Sequence, residues 1–340
     1  MDLNYMKAKI ALITGGYTDE AEISFKSSDF VYSQLDHNRY DIYTVVISKD
    51  EWYHLSTDGQ HHVIDKNTFS VQIGEEHIHF DLAFVMLHGS PGEDGRLQGY
   101  LDMVGVPYTS CDALTASLTM NKAYTKSILQ GIPDLYLAPS VLLFEDNRPK
   151  GVQMVESALN LPYFVKPNAG GSSIGMSKVT ASSGLADALD KAFDAANTGK
   201  QVIVEEFVKG REFSVGIFRR RDGSLYVLPA TEVVTTREFF DFEAKYTPGL
   251  TEEITPGRMN EEERNRVAHL AQEIYTRLNC QGMVRIDYFL EEETANFYFI
   301  EINTVPGQTA QSFIPQQVLA AGMNATEFYG ELIDVALARH

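Results

Sequence analysis

The sequence predicts an α/β chain that opens on a doubly wound parallel sheet. Three observations predict it. Residues 9–14 form an apolar run that stops at Gly15-Gly16. Residues 81–87 are almost unbroken apolar, the pattern of a strand buried on both faces. That run ends in HGSPGEDG (88–95), followed by a helical pattern over 97–104. Strands that end in Gly-rich loops ahead of helices place the ligand edge of the sheet at their C-termini. A helix over 22–35 and a strand over 41–47 complete this first region.

The middle region begins near residue 113. One helix carrying Asn121, Lys122 and Lys126 is predicted to stop at Gly131-Ile132-Pro133, where Gly and Pro end helices. A strand over 163–166 runs into PNAGGSSIGM (167–176), an amphipathic helix covers 185–196, and a strand over 201–208 carries Glu205 and Glu206. From about residue 209 the chain is strand-rich, with an aromatic stretch at 239–246, a helix near 261–278, a late hairpin and two closing helices. This gives three units, 1–112, 113–208 and 209–340. At 340 residues the chain exceeds the ~250–300 at which single cores stop growing.

Composition limits the partners. A net charge of −19 argues against nucleic acid, whose phosphates need clustered Lys and Arg. No apolar span is long enough for a membrane helix, and the first residues lead straight into a strand rather than a signal peptide. Cys111 and Cys280, the only cysteines, read as small buried hydrophobes and fit a reducing cytoplasm.

The late hairpin carries the most chemistry. GMVRIDYFL (282–290) and NFYFIEIN (296–303) are β-rich runs separated by acidic residues. Alternate strand residues share a face, so Arg285 and Asp287 point together, opposite Val284, Ile286 and Tyr288. On the second strand Glu301 and Asn303 share a face, opposite Tyr298, Ile300 and Ile302. With these polar faces matched, two carboxylates, an amide and a guanidinium converge. Oxygen donors of this kind suit Mg²⁺ beside phosphates. From these residues alone the face reads equally as a metal site or a solvated surface. The Gly/Ser loop after Lys166 can wrap phosphate oxygens with its amides, yet it matches neither a P-loop nor a dinucleotide fingerprint. Read singly, Lys122, Glu205, Glu212 and His88 are ordinary residues.

Together these motifs resemble the D-alanine–D-alanine ligases of the ATP-grasp superfamily, over nearly the whole chain. GGYTDEAEISFKS (15–27), HGSPGEDG, NKAYTK (121–126), VKPNAGGSSIGMSKV (165–179), EAKY (243–246) and the hairpin with FIEINTVPG (299–307) follow the family's order. The chain departs from the family at Gly170-Gly171, where Glu-Gly is usual, and at Phe240-Asp241-Phe242. The resemblance implies an ATP-grasp fold and ADP-forming ligation of two D-alanines through D-alanyl phosphate, for peptidoglycan synthesis. It implies that Lys122, Lys166, Ser173, Glu205, Phe207, Val208, Glu212 and Lys245 bind ATP. Two Mg²⁺ or Mn²⁺ would sit on Asp287, Glu301 and Asn303. Glu22 would hold the first ammonium in a triad with Ser172 and Tyr246. Arg285 and the Gly307 amide would form the oxyanion hole, with His88, Ser312 and Phe313 at the substrates. A homodimer is implied too. The alternatives are D-lactate or D-serine as second substrate, another ATP-grasp ligase, or a nucleotide-binding module without catalysis; Tyr246 argues against D-lactate.

Overall fold

The structure, a computed structural model, describes residues 7–171, 174–196, 200–235 and 251–339. The first region holds β1 (Ala8–Gly15), α1 (Ala21–Gln34), β2 (Tyr40–Ile47), β3 (Trp52–Leu55), β4 (His61–Asp65), β5 (Ser70–Ile73), β6 (Glu76–His79), β7 (Leu82–Val85) and α2 (Arg96–Val104). They form one sheet in the order β6-β5-β4-β3-β2-β1-β7. Its parallel part is β2-β1-β7, and the expected ligand edge lies at the ends of β1 and β7. The strands β3 to β6 extend it as an antiparallel meander. That arm escaped the sequence reading because its strands are four or five residues long and carry five histidines among few apolar positions. After β7 the chain turns sharply: a Cβ on Gly92 would overlap the Leu87 carbonyl oxygen, so only glycine lets the 88–95 loop fold back over the strand end.

The second region holds α3 (Ala113–Met120), α4 (Lys122–Leu129), β8 (Leu135–Tyr136), β9 (Ser140–Phe144), α5 (Gly151–Ala158), β10 (Tyr163–Pro167), β11 (Ser177–Val179), α6 (Leu185–Ala195) and β12 (Gln201–Glu206). The single helix expected here is two. Asn121 is extended (φ −94°, ψ 102°) and its side chain caps α4 by accepting from the Tyr124 amide. Lys122 therefore opens a helix. The antiparallel sheet β11-β10-β12-β9 has its own core, from Leu143 to Val204. Leu129 and Ile132, by contrast, are buried with the third region, and β8 joins its sheet.

The third region holds β13 (Gly210–Arg219), β14 (Leu225–Val227), β15 (Thr231–Thr235), β16 (Thr251–Ile254), α7 (Glu261–Arg277), β17 (Met283–Glu291), β18 (Phe297–Asn303), α8 (Phe313–Ala320) and α9 (Ala325–Leu337). Its sheet runs β16-β15-β13-β17-β18-β8. Asn260 and Glu263 close a capping box at the start of α7. Phe328, Tyr329, Leu332 and Ile333 on α9 pack into the core of the first sheet, which ties the two ends of the chain together. No described helix is long and apolar enough to cross a membrane.

Candidate active site

The late hairpin forms in the expected register. Arg285 lies opposite Asn303, and Asp287 opposite Glu301. Val284, Ile286 and Tyr288 are buried on the other face, as alternation requires. The second strand differs from expectation. The register shifts beyond Asp287, so Tyr288 pairs with Phe299 and Ile300 is skipped. The bulge flips the alternation, and Phe297 and Phe299 join Ile302 in the core in place of Tyr298 and Ile300.

Asp287 is the hub of this face. Arg285 grips it bidentately, Nε to Oδ1 at 3.0 Å and the terminal nitrogen to Oδ2 at 2.9 Å. Ser214 donates to Oδ1 at 2.5 Å and the Asn303 amide to Oδ2 at 3.2 Å. Asp287 and the neighbouring Glu301 push the Arg285 guanidinium up against the opposing effect of burial, so it stays charged although buried. Among the described residues no three His, Cys, Asp or Glu side chains converge as a metal site. Asp287 and Glu301 supply two carboxylates, and the Asn303 amide oxygen is a third donor. This oxygen set fits a hard divalent cation. A carboxylate offers about four acceptor positions, so Asp287 joins such a set by giving up one of its present bonds.

A cavity of about 720 Å³ opens over this face, between α1, the loop after β7, the end of β18 and the 170–171 loop. Lys122 reaches into it from the first turn of α4, 2.8 Å from the Gly170 carbonyl and 3.4 Å from Glu301. Lys166 lies behind, on β10. Its Nζ is 2.6 Å from Glu205 Oε2, and Lys126, one turn beyond Lys122, contacts the other oxygen of the same carboxylate. Glu205 is thus a buried carboxyl group between two lysines, and burial with the Lys166 and Lys122 charges pushes the Lys126 ammonium well down. Beside it the Phe207 ring is tilted against Phe164, centroids 5.6 Å apart, with the Lys178 ammonium 4.3 Å from its ring centre. Val208 is in the β12–β13 connection and Glu212 is half-buried on β13.

The opposite wall departs from expectation. Glu22 points to solvent and pairs with Lys26 at 2.6 Å; it does not line the cavity. Helix α1 begins at Ala21, and a helix turns about 100° per residue, so Glu20 and Ile23 face inward while Glu22 faces out. The Glu20 carboxylate sits between two glycine loops: a Cβ on Gly89 would lie 2.6 Å from it, and one on Gly171 2.8 Å. His88 lines the cavity but has both ring nitrogens engaged, Nδ1 2.9 Å from the Val305 carbonyl and Nε2 2.9 Å from the Ser27 hydroxyl. Burial, with Arg285 nearby, pushes it down to about 4, so it is neutral at pH 7: Nδ1–H donates and Nε2 accepts. Glu93, given no role from sequence, also lines the cavity and accepts from the Gly89 amide at 2.7 Å. Burial and the Glu20 charge push it up to about 8. The signal for Glu20 and Glu93 was their place in the two Gly-containing motifs; the helix phase and the fold of the loop were not readable.

Gly307 lines the cavity beside Ser312, whose hydroxyl accepts from the Thr309 amide at 2.9 Å at the start of α8. Phe313 lies under Arg285, 5.3 Å from ring centre to guanidinium carbon. Ser172, Ser173, Lys245 and Tyr246 lie outside the described residues.

Known proteins match this architecture. Residues 9–111 match the family model "D-ala D-ala ligase N-terminus" and 136–334 match "D-ala D-ala ligase C-terminus". The chain is 42% identical over 329 residues to the D-alanine–D-alanine ligase of Parabacteroides distasonis, covering 97% of each. It is 41% identical over 330 residues to that of Bacteroides fragilis, covering 97% of this chain and 99% of the relative. Among solved structures it superposes on the VanG D-Ala:D-Ser ligase from Enterococcus faecalis with a TM-score of 0.86 at 30% identity, covering 97% of this chain and 99% of that one. D-alanyl-alanine synthetase A from Vibrio cholerae gives 0.85 at 27%, covering 98% and 99%. The fold is that of an ATP-grasp ligase. The chain belongs to the D-alanine–D-alanine ligase family.

Proposed function

We propose that this chain joins two D-alanines into D-alanyl-D-alanine, a peptidoglycan precursor, with cleavage of ATP to ADP and phosphate. The observation that carries the reading is the β17–β18 register, which sets Arg285, Asp287, Glu301 and Asn303 on one face within reach of Lys122. A carboxylate oxygen of the first D-alanine bonds to the γ-phosphorus and ADP departs. The neutral amine of the second D-alanine then bonds to the acyl carbon, phosphate leaves, and the amine proton passes to solvent. Such transfer needs positioning and charge neutralisation more than covalent help. Lys122, Lys166 and Lys245 hold phosphate oxygens, while Glu205 orients Lys166 and, with Glu212, Phe207 and Val208, frames the nucleoside. Asp287, Glu301 and Asn303 would hold two Mg²⁺ or Mn²⁺, whose charge neutralises the β- and γ-oxygens. Glu20, rather than Glu22, meets the first ammonium. Arg285 and the Gly307 amide stabilise the oxyanion. Ser312, with Phe313 beside it, takes the carboxylate of the second D-alanine. Ser173 contacts ATP, while Ser172 and Tyr246 close the site against water, which would hydrolyse an acylphosphate.

The test is phosphate release with ATP, Mg²⁺ and D-alanine, followed by mass analysis of products with D-serine and D-lactate competing. Release that depends on D-alanine, with D-alanyl-D-alanine the main product, is expected. A D-seryl or D-lactyl main product, or release indifferent to D-alanine, overturns the reading.

A further inference from the structure

A second cavity, of about 540 Å³, lies at the other end of β13, where the β13–β14 turn meets the start of β17 and the end of α9. Its charge is opposite to that of the chain. Arg219, Arg220, Arg221 and Arg339 line it, against a single carboxylate, Asp334, in a protein of net charge −19. Asp334 is already shared, since Arg221 contacts one oxygen and Arg39, from outside the cavity, lies 2.9 Å from the other. None of the remaining guanidiniums has an ion pair with a carboxylate that lines the cavity, although Asp222 in the β13–β14 turn lies in the field of Arg220. Arg219 donates to the Gly223 carbonyl at 2.8 Å and lies 5.6 Å from the Tyr275 ring centre. Arg220 covers the Tyr226 ring at 4.2 Å. Arg339 contacts the Gln281 amide oxygen. Nε of Arg220 and one terminal nitrogen of Arg339 are buried with no hydrogen-bond acceptor among the described residues. Burial and the Arg219 charge also push the Arg339 guanidinium below its usual range. Buried guanidinium hydrogens without acceptors are costly, and four arginines around one carboxylate in a single concavity are a standing field for an anion.

We propose that this cavity is an anion site for a small phosphorylated molecule, separate from the catalytic cavity. Guanidinium forks match phosphate oxygens two at a time, and the volume is in the ~300–1,000 Å³ range of small-ligand sites. Ser214, which donates to Asp287, is five residues from Arg219 along β13, or ~17 Å of strand. The two sites therefore share a strand but no side chain, and this inference does not rest on the proposed ligase activity.

Inorganic phosphate is the probe, added to the full chain against sodium chloride at equal ionic strength, with nucleotide saturating the catalytic cavity. The readouts are the unfolding midpoint and a calorimetric titration. Phosphate should raise the midpoint above the chloride control. Arg220→Gln/Arg339→Gln should lose that increment while ATP-dependent phosphate release stays unchanged. The charge-keeping pair Arg220→Lys/Arg339→Lys should weaken it, which keeps the test decisive if the Gln pair folds poorly. No phosphate-specific increment in the native chain overturns the proposal. So does an increment that neither double variant reduces, because the anion would then be in the catalytic cavity.

Discussion

One wall of the catalytic cavity is a pair of hydrogen-bonded strands, the other a helix start and a glycine-rich loop, and the two keep their ionisable groups in opposite states. On the strand wall charge is preserved: Arg285 and Asp287 sit within 3.0 Å of each other, and Asp287 keeps the buried Arg285 guanidinium charged. On the loop wall charge is withdrawn, with His88 pushed down to about 4 and Glu93 pushed up to about 8 by burial. Both are neutral at pH 7. The difference separates the tasks. The strand wall presents fixed charge to the cavity, and the loop wall keeps the Glu93 carboxyl protonated close to the Glu20 charge.

The sharpest way to break this contrast is at Arg285. Arg285→Met removes a donor aimed at the reacting centre, which typically lowers the rate by ~10²–10³. It also leaves the buried Asp287 carboxylate without its cation, at ~3–5 kcal/mol for a broken buried pair, moderated here by the hydrogen bonds from Ser214 and Asn303. Phosphate release and urea unfolding should both fall. A variant that loses neither would show that Asp287 does not depend on Arg285 and that the strand wall is not charged in the way described.

The next test separates two carboxylates two residues apart. Glu20→Gln should raise KM for D-alanine by ~10–10²-fold, the range of one hydrogen bond to a charged group, with stability nearly unchanged. Glu22→Gln breaks only an exposed pair with Lys26 and should leave KM within a factor of two or so. The reverse order of effects would mean that α1 starts one turn differently when substrate binds.

The strand wall was the more legible because its rule is binary. A residue faces one side or the other, and Arg285, Asp287, Glu301 and Asn303 follow from counting by two. The rule failed where a bulge inserts Ile300, since one extra residue exchanges the faces without a local sequence signal. The loop wall obeys a less forgiving rule. An error of one residue in a helix start turns a side chain by about 100°, which is how Glu22 stood in for Glu20. Asn121 was readable as a cap only once the helix was seen to break there. Contacts such as Lys126 with Glu205, 79 residues apart, depend on how a helix lands on a sheet, and no local pattern encodes that.

The smallest effect sharpens the loop wall. Glu93 has its carboxyl raised from 4.5 to about 8 by burial and the nearby Glu20 charge. The folded protein thus prefers the neutral acid, so this contribution to stability is complete below about pH 4.5 and is lost as pH rises through 8. An amide has nearly the shape of a neutral carboxyl and cannot ionise. Glu93→Gln should therefore unfold near the native midpoint in urea at about pH 4, where the carboxyl is protonated in the folded protein and largely protonated in the unfolded chain. Between about pH 4.5 and 8 the native protein should lose stability that the variant keeps, so the two curves diverge with the variant on top. The Gly89 amide, now donating to an amide oxygen at the same position, keeps its partner. Parallel curves across that range would mean that Glu93 is already ionised at neutral pH, and that the loop wall carries two anions rather than one.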